Sequence, residues 1–345
     1  RDTDRSRGLG DVYKRQPILR LLNTPDDIFM HAYNYIVIIF AGIPTVFLYN
    51  IVSGIIRSLG DSKTPVYFLV LSSVINIALD FILILYVKMG VAGAGVATVV
   101  SQLIAGVGCT IYMYKKFDIL KGTKQEKVIS KKHISNLCFI GVPMGLQYSI
   151  TAIGSTILQA AVNGLGSSYV AAMTAGSKMF NFTCCPFDAL GSTMATYGGQ
   201  NVGAGKIDRL RKGIKAAMLI GAVYSVVALV VLYFSADYIA LLFVDAGETA
   251  IIELTRRFIM ASALFYIPLT GVNVYRFCIQ GMGFSVFAIL AGVFEMLART
   301  LVAILLIPHI GFNGACLANP AAWIAADLFL IPAFIHCCNK LKRYE

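Results

Sequence analysis

Asp80 lies deep in an apolar stretch, four residues after Asn76, so on a helix the two side chains project from one face. Thr98 sits in the next apolar run. A carboxylate, an amide oxygen and a hydroxyl make a hard oxygen set that suits Na⁺, and the carboxylate alone suits a proton. An ionisable group inside a membrane span is costly and is by default a functional candidate. Asp80, Asn76 and Thr98 are therefore the candidate ion-coupling residues, and the Na⁺ ligands if coupling uses sodium. The competing reading is a structural carboxylate tied to a helix bundle. A second polar pair, Glu295 and Arg299, is also spaced four apart in an apolar run. It reads equally as an intrahelical pair that lowers its own burial cost or as a gating or proton-carrying pair.

Lys178 and Asp188 share another run. Lys178, Tyr35, Gln147, Met179, Asn181 and Phe182 are candidate contacts of a substrate cavity, since aromatic and methionine surfaces suit promiscuous apolar cations. Each of them alone also reads as ordinary packing. His31, His133, His309 and His336 are scattered near the ends of apolar runs, which favours interfacial placement over metal binding. The eight cysteines sit almost all within apolar runs, without zinc-ligand spacing or a disulfide framework, and read as free, buried thiols. No phosphate-binding G-x-x-x-x-G-K-[ST] loop is present, so ATP drive within this chain is unsupported. No His/Asp or Ser/Lys constellation at membrane depth supports an enzyme, and nothing calls for a cofactor.

These groups must be held by membrane helices. Of the 345 residues, 57% are hydrophobic and 14% charged, and the mean hydropathy is +0.74. A soluble domain is roughly 45–50% apolar and about 25% charged. The surplus apolar surface faces lipid. A spanning helix needs about 20 apolar residues. The sequence offers nine such runs, at 29–58, 62–88, 91–115, 134–163, 167–198, 209–241, 250–282, 285–308 and 312–338, while 17–22 reads as the tail of a tenth. Pro44, Pro65, Pro143, Pro186, Pro268 and Pro320 fall within or at the edges of runs and mark candidate kinks.

The net charge of +11 comes from short basic segments between runs, which argues against nucleic acid as a partner. Lysines 115–132, the cluster Lys206, Arg209, Arg211, Lys212 and Lys215, and the terminal Lys340, Lys342 and Arg343 all fall on one side of a nine-helix chain. The positive-inside rule makes that side cytoplasmic, with the C-terminus there too. The opposite loops are short or acidic, with Asp26, Asp27, Asp245 and Glu248; Arg256 and Arg257 are the one awkward pair.

Residues 1–16 stand apart: polar, charged and without apolar period. Their end, Asp11 to Gln16, reads as a translated sequencing adaptor, which makes 1–16 a non-native scar and implies that native helices upstream are absent. An internal repeat divides the rest. Gly42-Ile43-Pro44 is echoed by Tyr266-Ile267-Pro268, Arg57-Ser58-Leu59-Gly60 by Gln280-Gly281-Met282-Gly283, and Gly90-Val91-Ala92-Gly93-Ala94 by Gly311-Phe312-Asn313-Gly314-Ala315, at offsets of 221–224 residues. That offset spans six helices, so the repeats run parallel, a common transporter plan. Residues 42–115 should superpose on 266–338.

The segment Gln200-Asn201-Val202-Gly203-Ala204-Gly205-Lys206, with Asp208-Arg209, resembles a signature of multidrug and toxic compound extrusion transporters, and Arg57 to Pro65 resembles a second loop of that family. Asn76 to Asp80 and Gly90 to Thr98 continue the likeness, which covers residues 17–345. The resemblance implies an all-α integral membrane fold of twelve helices in two facing lobes across a V-shaped cleft. About nine complete helices and the end of another are present, and the first two to three are missing. Residues 17–120 would be a partial N-lobe (end of family helix three to six), 121–133 a basic cytoplasmic linker, and 134–345 the C-lobe (family helices seven to twelve). It implies secondary active antiport of organic cations or drugs against Na⁺ or H⁺ by alternating access. The expected setting is the plasma (inner) membrane of a bacterium, and the expected state is a monomer whose partners are the bilayer and a small amphipathic or cationic substrate. The family's N-lobe site matches Asn76, Asp80 and Thr98, but its further Asp belongs to the absent first helix. Where some relatives carry a Glu in helix seven, this chain reads Gly141 to Gln147 without an acid, which places it nearer the DinF-like branch. A flippase for lipid-linked saccharides in the same superfamily is the alternative; it needs a more cationic cavity, for which Lys178, Arg276 and Arg299 are the candidates.

Overall fold

The structure is a computed structural model, and it describes residues 26–120 and 130–342. The scar, the 17–22 helix tail, most of the basic linker (121–129) and Arg343 lie outside the described residues, as does the side chain of His31. Every regular element is helical: α1 Asp26–Ser58, α2 Lys63–Asp80, α3 Val91–Lys116, α4 Lys131–Asn163, α5 Ser167–Gly203, α6 Ile207–Ala240, α7 Thr249–Ala263, α8 Tyr266–Gly281, α9 Ser285–Leu301, α10 Ile307–Ile310 and α11 Phe312–Lys342. Two π-helical stretches, Phe81–Tyr86 and Val302–Leu306, continue α2 and α9. Lys131, Lys132 and His133, expected in the linker, are the first turn of α4.

The chain forms two compact units, divided at Val128–Ile129. In the first, α3 packs on both α1 and α2. Its small residues allow this approach: a Cβ on Gly106 would stand 3.2 Å from the backbone nitrogen of Tyr49. The turn between α1 and α2 is tied down by Asp61. Its Oδ1 accepts the backbone N–H groups of Lys63 and Thr64, capping α2. Its Oδ2 accepts from the hydroxyls of Tyr112 (2.7 Å) and Thr64 (2.8 Å) and pairs with Lys116 Nζ at 3.1 Å. The Tyr112 hydroxyl above all, then the Thr64 N–H and the other donors, hold this carboxyl well below the usual carboxylate range.

In the second unit the pairs α4–α9, α5–α8 and α9–α11 are the most extensive of many helix–helix contacts. At its centre Tyr266, fully buried, lies among Phe180, Phe187 and Trp323 and shares a 2.8 Å hydrogen bond with the Thr183 hydroxyl.

Seven helices among the described residues are long and apolar enough to cross a membrane, and α7 with α8 makes an eighth if taken as one broken span. The ninth expected span, α5, has 37 residues but falls short in apolarity, because Ser, Thr and Gly are spread along it together with Lys178 and Asp188. The run expected at 250–282 bends by 52° between Ala263 and Tyr266, beside Pro268, one of the candidate kinks. Pro268 lacks an N–H, and its ring crowds the carbonyl four residues back, that of Leu264, at the break. The other prolines inside helices, Pro44, Pro143, Pro186, Pro320 and Pro332, leave theirs unbroken.

The repeat is visible in the backbone. Gly60 and Gly283 end α1 and α8 with φ of +95° and +89°. Each helix closes with the same pair of bonds, Gly60 N–H to Arg57 O and Asp61 N–H to Ile56 O against Gly283 N–H to Gln280 O and Phe284 N–H to Ile279 O. Gly90 and Gly311 share φ/ψ of 57°/−138° and 58°/−136°, a conformation that favours glycine. The two π stretches fall at matching places in the two copies.

Candidate functional site

In the first unit, α2 carries Asn76 and Asp80 and α3 carries Thr98. Asn76 Nδ2 donates to Thr98 Oγ1 over a long 3.5 Å, and Thr98 donates to the Ala94 carbonyl at 3.0 Å. Thr98 thus has its proton committed to its own helix and lone pairs turned to its neighbour. Asp80 is the last residue before the π-helical stretch, a local widening that recurs at functional sites. Its Oδ1 is buried without a hydrogen-bond partner. A buried carboxylate oxygen with no donor is a place for a cation or a proton. Tyr35 packs against α3, its ring 3.5 Å from where a Cβ on Gly95 would stand, and is otherwise exposed.

The second unit holds a denser charged cluster. Glu295 on α9 pairs through Oε1 with Arg276 of α8 and through Oε2 with Arg299, one turn along, at 3.4 Å. Arg299 Nε also donates to Asn319 Oδ1 of α11 at 3.3 Å. All three charged residues are buried. Glu295 and Arg299 therefore belong to a three-residue bridge across two helices, not to an isolated intrahelical pair. With Asp188, Asn181 and the stacked Phe180 and Trp323 they line a cavity of about 370 Å³. Asp188 and Asp327 also lie near enough to act on the Arg276 charge. Asp327 is a residue the sequence reading passes over; its signal was an acid in the last apolar run. Its carboxylate lies against Gly271, where a Cβ would come within 2.5 Å of Oδ2.

Within the second unit, four of the expected cavity residues share one groove and Gln147 does not line it. Lys178, Met179, Asn181 and Phe182 line a separate groove of about 530 Å³ between α5 and the end of α6. Within it Met179 is buried and Phe182 stands 82% exposed. Gln147 is buried on α4 and accepts a 2.6 Å bond from Gln280 Nε2. Of the signature residues, Gly205 turns the chain with φ of +64°, and Lys206 N–H closes on Asn201 O at 2.8 Å. Asn201 Nδ2 donates to Tyr197 O at 2.8 Å. Gln200 is the turn's other end, accepting the Ala204 N–H at 3.1 Å, and a Cβ on Gly203 would meet open space. The signature is thus a helix stop and turn between α5 and α6. Among the described residues no group of three or more His, Cys, Asp or Glu is placed to hold a metal. All eight cysteines are free, but Cys138 and Cys185 are exposed, against the expectation of uniform burial.

A sequence model of the family described as MatE matches residues 12–82 and 143–305, its start overlapping the end of the segment read as a scar. The chain belongs to the MatE family. This MatE chain is 27% identical to the probable multidrug resistance protein YoeA of Bacillus subtilis (strain 168), over 94% of its own length and 72% of that protein. It is 30% identical to the probable multidrug resistance protein YpnP of the same organism, over 77% and 59%. It shares its fold with the bent form of the Vibrio cholerae MATE transporter VcmN, with a TM-score of 0.86 at 19% identity, covering 96% of this chain and 75% of that one. The fold is all-helical, the protein is a multi-pass integral membrane protein, and its family is one of transporters, not enzymes.

Proposed function

We propose that this MatE protein is a secondary antiporter that exports small amphipathic or cationic compounds against Na⁺ or H⁺ by alternating access, with Asp80 as a coupling carboxylate. The observation that carries the reading is the unpartnered Asp80 oxygen, buried in an apolar span at the start of a π-helical stretch, with Asn76 and Thr98 on the facing helix surfaces. The relatives named for multidrug resistance support the substrate class. The acid-free helix α4 around Pro143 favours a DinF-like coupling scheme centred on the first unit. The basic turn at Lys206 and Arg209 and the basic end of α11 favour a cytoplasmic C-terminus for an inner-membrane protein. The saccharide-lipid flippase is less favoured. The cavity at Arg276 and Arg299 is balanced by Glu295 and Asp188 and lacks the cationic surplus a pyrophosphate needs.

The test is dye efflux from vesicles of cells producing the protein, under a Na⁺ or a pH gradient. Asp80→Asn should reduce gradient-driven efflux to background with membrane insertion intact, since an amide neither exchanges a proton at this site nor binds Na⁺ as a carboxylate does. Asn76→Ala and Thr98→Ala should weaken it less. Parent-rate efflux by Asp80→Asn under both gradients refutes the assignment.

A further inference from the structure

Lys178 is exposed on α5, eleven residues and so about 16 Å along the helix from Ser167. Its ammonium has an aromatic neighbour, the Phe243 ring at 5.5 Å, and no carboxylate or hydrogen-bond acceptor recorded among the described residues. It opens onto the groove of about 530 Å³, whose walls include Phe182, Leu232, Ile239, Leu242 and Phe243. Phe182 and Leu242 stand 82% and 76% exposed. An apolar groove with one uncompensated cation in its wall has the polarity and charge of an amphiphile's complement. A lysine at membrane depth is costly unless something neutralises it. Cation–π contact with Phe243 holds the ammonium at the groove but leaves its three N–H donors unmet. The groove lies at the end of α6 remote from the basic Lys206 turn, with Leu242 and Phe243 just beyond Ala240.

We propose that this groove binds an anionic phospholipid of the surrounding bilayer, its phosphate on Lys178 and one acyl chain against the apolar walls. A soluble anion would make no use of the apolar walls. A zwitterionic lipid brings its own cation beside the phosphate and gains less from the lysine. The inference needs only that the chain spans a membrane, so it stands or falls separately from the antiport reading.

The test is a lipid titration of the purified protein in detergent. Thermal unfolding is followed with a thiol-reactive fluorogenic dye, because six of the eight cysteines are buried. Phosphatidylglycerol should raise the unfolding midpoint at lower concentration than phosphatidylcholine of the same chains. Lys178→Gln should need about fivefold more phosphatidylglycerol for the half-maximal shift, matching about 1 kcal/mol for one lysine near an anionic lipid. Leu242→Trp, which fills the groove and leaves the lysine, should also lose the preference, and Lys212→Gln, an exposed lysine on α6, should keep it. The proposal is overturned if Lys178→Gln titrates like the parent, if the two lipids act alike on the parent, or if glycerol phosphate replaces the lipid.

Discussion

Replacing Glu295 by Gln tests the buried bridge most directly. The amide keeps the shape of the side chain and removes its charge. In the parent each carboxylate oxygen serves a different arginine, Arg276 from α8 and Arg299 from α9, and all three side chains are at least nine-tenths buried. Breaking such a pair by removing one partner costs about 3–5 kcal/mol, because the remaining charges stay buried and uncompensated. The two arginines do not lose equally. Arg276 keeps Asp188 and Asp327 nearby, whereas the other partner recorded for Arg299 is the neutral Asn319 amide at 3.3 Å. The expected loss is therefore near the lower end, about 3 kcal/mol. At about 2–4 °C per kcal/mol for a unit of this size, the unfolding midpoint should fall by roughly 6–12 °C. Adding Arg299→Gln should recover part of that fall, because it removes the charge left unpaired, and the cycle should show a coupling of at least about 1 kcal/mol. Dye-detected thermal unfolding in detergent measures both. A midpoint for Glu295→Gln within 2 °C of the parent, or strict additivity in the double variant, would refute the argument.

Gly281→Ala would place a Cβ 2.0 Å from the Ala195 carbonyl oxygen, a backbone atom that cannot rotate aside, so α5 and α8 must part. The expected loss is about 1–3 kcal/mol, while Gly203→Ala, with nothing within 4 Å, should leave the midpoint unchanged or slightly higher. Equal midpoints for the two variants contradict the close contact. Asp61, whose carboxyl titrates lower in the folded protein than in the unfolded chain, contributes stability that is complete above its unfolded pKa of about 3.9 and is lost as pH falls through the folded value. The midpoint of the parent should therefore fall more steeply below about pH 4 than that of Asp61→Asn; parallel curves would remove Asp61 from that role. Maleimide on the native protein should modify no more than the two exposed thiols, Cys138 and Cys185, and all eight after denaturation. Rapid modification of a third in the native state is incompatible with the packing described here.

What the residues determine unaided is what depends on neighbours along the chain. Apolar runs of spanning length become helices because a backbone in lipid must satisfy its own hydrogen bonds. Gly60 and Gly283 stop α1 and α8 in the same left-handed turn, and Gly205 stops α5, because no other residue adopts that conformation as cheaply. Even the repeat is local, since equal short sequences make equal turns. Asn76 and Asp80 share a face of α2 for the same reason, being one helical turn apart. The tertiary structure alone decides how helices are rotated and which side chains meet. Pro44 and Pro268 occupy matching positions, yet only the second accompanies a break, and beside that break Tyr266 is clamped among Phe180, Phe187 and Trp323. Glu295 and Arg299 are spaced as a self-contained pair, and only the packing of α8 on α9 brings Arg276 to Glu295 at the wall of the same cavity. Asp61 and Tyr112 are 51 residues apart and meet because α3 returns along α1 and α2. Lys178 and Gln147 share a plausible role by composition but face different surroundings, because a helix has several sides and its sequence does not say which neighbour covers each one.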